Sequence, residues 1–272
     1  MSVTRVRGTG SAVRAAGSSR WRRRLVALVG AVALVVPALT LADGSPASAA
    51  TTYPVTATVP VGASPSGVAA DAATNTIYIT NFNDSTLSVI DGATNTVNAT
   101  MPVDADPFGV AVDAATNTIY VTHYSPPGGT VSVIDGATNT VTATVPVGVG
   151  PHGVAVDAAT NTIYVANFND STVSVIDGTT NTVTATVPVG AGPDEVAVDA
   201  ATNTIYVTHA SGTVSVIDGA TNTVTATVPV GVGPHGVAVD AATNTIYVTN
   251  YFSSTVSVID GATNTVTATV PV

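Results

Sequence analysis

The 272-residue chain has a formal net charge of −10 and no cysteine, which excludes disulfides, thiol nucleophiles and thiolate metal sites. It has no lysine, and all seven arginines lie within the first 24 residues, whereas sixteen of its seventeen carboxylates lie beyond residue 50. A body without cationic side chains other than four histidines excludes a phosphate-gripping nucleic-acid surface, a lysine Schiff base and a Walker-type phosphate loop, and it disfavours anionic membranes.

The N-terminal segment reads as an export signal. A basic stretch ends at Arg22-Arg23-Arg24, an apolar run spans residues 25–41, and Ala47-Ser48-Ala49 supplies a small-residue cleavage site. Pro37 inside the apolar run argues against a permanent membrane anchor. The expectation is a signal peptide over 1–49 and a mature domain over 50–272, extracellular or at the cell surface, with no membrane contact after cleavage. The arginine pair fits both the general and the twin-arginine routes.

Beyond residue 50 the chain is a tandem repeat. A unit of the type VTATVPVGVGPHGVAVDAATNTIYVANFNDSTVSVIDGTTNT begins at Val55, Val97, Val141, Val183 and Val224, with a sixth start at Val266. Each unit holds four short runs rich in Val, Ile, Thr and Tyr, which suit a pleated sheet. In the second unit they are 109–113, 118–122, 130–135 and 141–147. The DAATN and DGATN segments between runs carry Asp, Asn and Gly, which favour tight turns, so neighbouring strands are antiparallel.

Proline sets the order across each sheet. Pro60, Pro102, Pro146, Pro188, Pro229 and Pro271 all fall in the fourth run, and a residue without an N–H belongs on an edge. The small-residue GVAVD run then lies innermost, near an axis. Apolar residues of both parities, such as Val131, Val133 and Ile134, require both sheet faces to be covered. A four-stranded antiparallel sheet recurring at this period predicts an all-β fold, a β-propeller, because blades stacked around an axis cover both faces. A β-solenoid is disfavoured, since its coils are shorter and lack regular hairpins. Five blades are expected, at about 67–103, 109–147, 153–189, 195–230 and 236–272. An extra outer-type strand at 53–61 competes with the C-terminal one for a single edge. A monomer is expected.

The segments at Ile77–Asn81, Ile119–His123, Ile163–Asn167, Ile205–His209 and Ile246–Asn250 resemble the YVTN β-propeller repeat, in phase and over nearly all of the body. The resemblance implies an exported propeller of the kind found in surface-layer proteins, and no single chemistry. Propellers of that type commonly close with seven blades, whereas five full units are present here.

In a propeller, the links entering the inner strand and the links between second and third strands share one face. Those links vary between units here, while the DAATN and DGATN turns of the opposite face barely change. Constant blades with variable loops on one face suit a binding surface. The candidate ligand-face residues are His123, His152, His209, His235, Asp194, Glu195 and Phe108. A ring of His and carboxylate groups could take a divalent metal, but no tight ligand motif is present, and polar loop residues bonded to backbone or water explain the same pattern. Asp104-Ala105-Asp106 and Asn83-Asp84 lack the full calcium-loop pattern and read as turn formers. No cofactor is expected. The repeated Tyr from Tyr78 to Tyr247 read as packing residues.

The expected function is a binding or cell-surface interaction scaffold for a protein, glycan or small-molecule ligand, without catalysis. No GxSxG elbow occurs. A small-molecule lyase or hydrolase with a His-containing axial pocket is the alternative, and a structural wall or matrix component is the third.

Overall fold

A computed structural model of the chain describes residues 54–124 and 128–272, so the expected signal peptide and Tyr53 lie outside the described residues. Twenty strands form five antiparallel sheets of four, each running inner to outer in chain order. The first blade is β1 (Pro65–Asp71), β2 (Thr76–Asn81), β3 (Thr86–Asp91) and β4 (Thr96–Pro102). The second is β5 (Pro107–Asp113), β6 (Thr118–His123), β7 (Gly129–Asp135) and β8 (Thr140–Val147). The third is β9 (Pro151–Asp157), β10 (Thr162–Asn167), β11 (Thr172–Asp177) and β12 (Thr182–Pro188). The fourth is β13 (Pro193–Asp199), β14 (Thr204–His209), β15 (Thr213–Asp218) and β16 (Thr223–Pro229). The fifth is β17 (Pro234–Asp240), β18 (Thr245–Asn250), β19 (Thr255–Asp260) and β20 (Thr265–Pro271), with one 3-10 turn at Tyr251–Ser253. The proline-bearing strand is the outermost in every blade.

The constant turns explain why these hairpins form. Asp113 caps the first turn of blade 2: its Oδ1 accepts from the Ala115 N–H at 2.9 Å and its Oδ2 from the Thr116 hydroxyl at 2.8 Å. Asn117 then takes the left-handed conformation at φ 52°, which Asn tolerates better than most residues. The Gly136 N–H donates to the Asn117 carbonyl at 2.9 Å, tying the turn between β5 and β6 to the one between β7 and β8. The same geometry recurs from blade to blade, which is why DAATN and DGATN scarcely vary.

Packing between blades is also repeated. Blade 1 presents Tyr78, Leu87, Val89 and Met101 to Val110, Ile119, Val121 and Ile134 of blade 2, all within 9% exposure. Equivalent clusters join blades 2 and 3, 3 and 4, and 4 and 5. Full burial of each such side chain is worth about 1.5–3 kcal/mol, so these clusters carry most of the stability. Threonine hydroxyls near the axis add a stitch: Thr80, Thr122 and Thr208 donate to the carbonyls of Phe108, His152 and His235 in the next blade at 2.7–2.8 Å. At the junction of blades 2 and 3 the close approach favours glycine, since a Cβ on Gly109 would lie 2.5 Å from the His152 oxygen.

Five blades in a closed ring would share five such clusters. Among the described residues there are four, and none joins blade 5 to blade 1. Val68 on β1 is 46% exposed where its equivalents Val110, Val154 and Val196 are at most 9%. Val270 on β20 is 47% exposed where Val145, Val187 and Val228 are at most 3%. The five blades therefore form an open arc. The expected extra outer strand at 53–61 is corrected accordingly: residues 54–61 form no strand. Every blade already owns an outer strand, and the two ends of the arc do not meet at an edge that residues 54–61 could share.

Candidate functional site

The two sets of variable links do share one face. In each blade the residue following the second strand donates its N–H to the link entering the inner strand: Phe82 to Ser64, Tyr124 to Asp106, Phe168 to Gly150, Ala210 to Gly192 and Tyr251 to Gly233, at 2.8–3.0 Å. Carboxylates and hydroxyls tighten these links further. Asp84 accepts from the Ala63 N–H and Asp170 from the Val149 N–H, both at 2.6 Å, and Ser253 accepts from the Val232 N–H at 2.8 Å. Asp84 is thus a turn-former.

At the start of each inner strand, the residue after proline occupies one slot near the axis. Inner strands of adjacent blades are neighbours, so the slot residues of blades 2 to 5, Phe108, His152, Asp194 and His235, form a continuous row. The rings of Phe108 and His152 stack with centroids 4.3 Å apart. His152 Nδ1 donates to Asp194 Oδ1 at 2.9 Å, and His235 Nε2 lies 3.5 Å from Asp194 Oδ2. One carboxylate therefore serves two imidazoles from the blades on either side. The Asp194 and His152 side chains are only 12% and 15% exposed, whereas that of His235 is 58% exposed.

Glu195 stands where the other inner strands have glycine, and its carboxylate reaches towards Gly153 of blade 3. Desolvation there, reinforced by the Asp194 charge, pushes the Glu195 carboxyl up to about 7, although the residue as a whole keeps intermediate exposure.

His123 and His209 do not join the row. They are buried, at 1% and 0% exposure, inside blades 2 and 4. His123 Nε2 bonds Ser132 at 2.9 Å and His209 Nε2 bonds Ser215 at 2.8 Å. Their position is that of Asn81, Asn167 and Asn250, which bond Ser88, Ser174 and Ser257 at 2.9 Å. These two histidines are internal struts, not ligand-face groups, and burial lowers the His209 imidazole to about 4.

The sequence reading missed an aromatic cluster. Phe168 stacks on the second face of His152 at 4.6 Å, Tyr124 lies 5.3 Å away at a tilt, and Phe82 meets Phe108 edge-on at 6.4 Å. Tyr251 and Phe252 stand 74% and 76% exposed on blade 5. The signal was present: the residue after the YVTN-like segment is aromatic in four of five units.

The row offers a carboxylate and two imidazoles beside aromatic rings, and the carboxylate and imidazoles can accept hydrogen bonds and attract positive charge. Among the described residues, no three His, Asp or Glu side chains converge as a metal ion needs. Two recesses of about 490 Å³ lie elsewhere, at the blade rims beside Asp84 and Asp170, and hold no member of the row.

A family model described as YNCE-like β-propeller matches residues 51–243. No curated protein matches the chain in sequence. Among solved structures, the chain is similar to Kuenenia stuttgartiensis hydrazine synthase, with 16% identity, a TM-score of 0.59, and coverage of 78% of this chain and 88% of that one. At that identity the likeness shows the fold alone.

Proposed function

Because the chain belongs to the YNCE-like β-propeller family, whose fold serves as a scaffold for interaction, we propose that it is an exported binding protein whose variable loop face takes a neutral or cationic ligand. The observation that carries this reading is the row Phe108–His152–Asp194–His235, built from four different blades on the one face whose loops vary. A scaffold needing only stability would repeat one residue in that slot, as it repeats DAATN on the other face. Sixteen carboxylates and no cation but histidine beyond residue 50 turn anionic ligands away. The leader-like segment supports export.

The test is a binding screen of the secreted chain against basic peptides, neutral glycans and small amines. The quadruple variant Phe108→Ala/His152→Ala/Asp194→Ala/His235→Ala serves as the control. Hits abolished in the variant support the reading. Hits retained at equal affinity place recognition elsewhere. A second reading, a small-molecule lyase or hydrolase, draws on Glu195, whose carboxyl at about 7 beside Asp194 suits proton transfer. Turnover of a bound small molecule that is lost in Glu195→Gln would favour it over pure binding.

A further inference from the structure

Each blade has two unlike apolar faces. The leading face is built around the repeated Tyr and the Val of the third and fourth strands; the trailing face is built from the inner-strand Val and the Ile and Val of the second strand. Leading meets trailing at all four interfaces of the arc. Blade 5 leaves its leading face uncovered, with Tyr247 and Val256 more exposed than their equivalents and β20 exposed along its whole length. Blade 1 leaves its trailing face uncovered at Val68, Ile77 and Ile79. The polar stitch is missing too. Thr249, the equivalent of the buried Thr80, Thr122 and Thr208, is exposed, and its hydroxyl bonds only within its own blade, to Gly236. The carbonyl matching those of Phe108 and His152 is that of Ser66 on blade 1.

The two open surfaces are therefore the two halves of an interface that this chain already makes four times. We propose that blade 5 of one copy packs head to tail on blade 1 of a second copy. Tyr247, Val256 and Val270 would cover the partner copy's Val68, Ile77 and Ile79, and the Thr249 hydroxyl would donate to its Ser66 carbonyl. The contact is heterologous, so it repeats from copy to copy until the ring closes. It uses the Ser66 backbone but none of the side chains of the Phe108–His152–Asp194–His235 row, so its test is separate from the test of what that face binds. Burying two halves of a blade interface removes from water the kind of apolar surface that otherwise drives association.

The experiment is sedimentation analysis of the purified chain over a range of concentrations, with Val68→Asp and Val270→Asp made separately. Both positions are half-exposed in the single chain, and circular dichroism with thermal melting checks that each variant keeps its fold. The wild type should have at least twice the single-chain mass, and each variant alone the single-chain mass. An equimolar mixture of the two variants should regain a twofold mass and stop there, because the intact blade 5 of one fits the intact blade 1 of the other and no further face remains. A wild type of single-chain mass at every concentration overturns the proposal, as would a mixture that fails to associate. If one variant alone stays paired while the other does not, the contact joins like faces and the head-to-tail assignment is wrong.

Discussion

The Thr122 hydroxyl donates to the His152 carbonyl of the next blade at 2.7 Å while accepting from its own blade's Gly109 N–H at 2.8 Å. One buried oxygen thus closes a sheet irregularity and joins two blades. Thr122→Val keeps the shape but strands both the carbonyl and the N–H, at a cost of about 1–3 kcal/mol. Thr249→Val in blade 5 should cost clearly less in dilute solution, because the Thr249 hydroxyl bonds only Gly236 of its own blade. Urea unfolding of both variants measures the difference.

Glu195 has a folded-state pKa of about 7, above its ordinary 4.5. The carboxyl is therefore tolerated best when protonated. The stability it permits is fully present below pH 4.5 and is lost as pH rises through 7. Glu195→Gln should remove that decline, so the variant should melt higher than the wild type above pH 7 and about equally at pH 4. Melting temperature against pH checks the sign.

His209 works in the opposite direction. Burial lowers its imidazole from 6.5 to about 4, so the folded chain holds it neutral. Stability is intact above pH 6.5 and falls with pH through 4, because unfolding releases a group that binds a proton more readily. His209→Asn borrows the residue that three other blades use in this slot and should keep a bond to Ser215. The variant should resist acid unfolding better than the wild type while matching it at pH 8.

Asn139 holds the left-handed turn between β7 and β8 at φ 54°. Asn139→Ala should cost about 1 kcal/mol, since a Cβ without a local polar partner is disfavoured there. Asn139→Gly should cost little. Neither should alter binding at the loop face, which lies at the other end of the blade. Chemical denaturation and the ligand screen, run on the same two variants, test both halves.

Much of the fold was legible because each unit repeats its own punctuation. The inner strand of blade 2, expected at 109–113, begins two residues earlier, because an irregularity between Pro107 and Val110 still lets Pro107 pair with His123. The site was half legible. His152, His235, Asp194 and Phe108 share a slot that alignment of the units exposes, and the structure brings them into one row. His123 and His209 looked equivalent to them because composition does not register burial. Aligning those two with Asn81, Asn167 and Asn250, all of which face a serine on the third strand, would have separated them. The open arc could not be read at all. Every unit carries both halves of the blade interface, and the sequence pattern does not encode how sharply one blade turns from the next.

Near-identical blades raise a sorting problem for a folding chain. A hairpin displaced by one whole unit would find nearly the same valines and turns waiting for it, and a threonine stitch at three of the four junctions. The near-constant core therefore tells one place from the next only weakly, chiefly through Ala166 where other blades have threonine. The contacts that differ from blade to blade do so more sharply: the stack of Phe108 on His152, the bond from His152 to Asp194, and Glu195 lying over Gly153. Each occurs at one junction only. The variable row near the axis thus doubles as an address label, rewarding the correct neighbour at a place where the rest of the molecule is nearly indifferent.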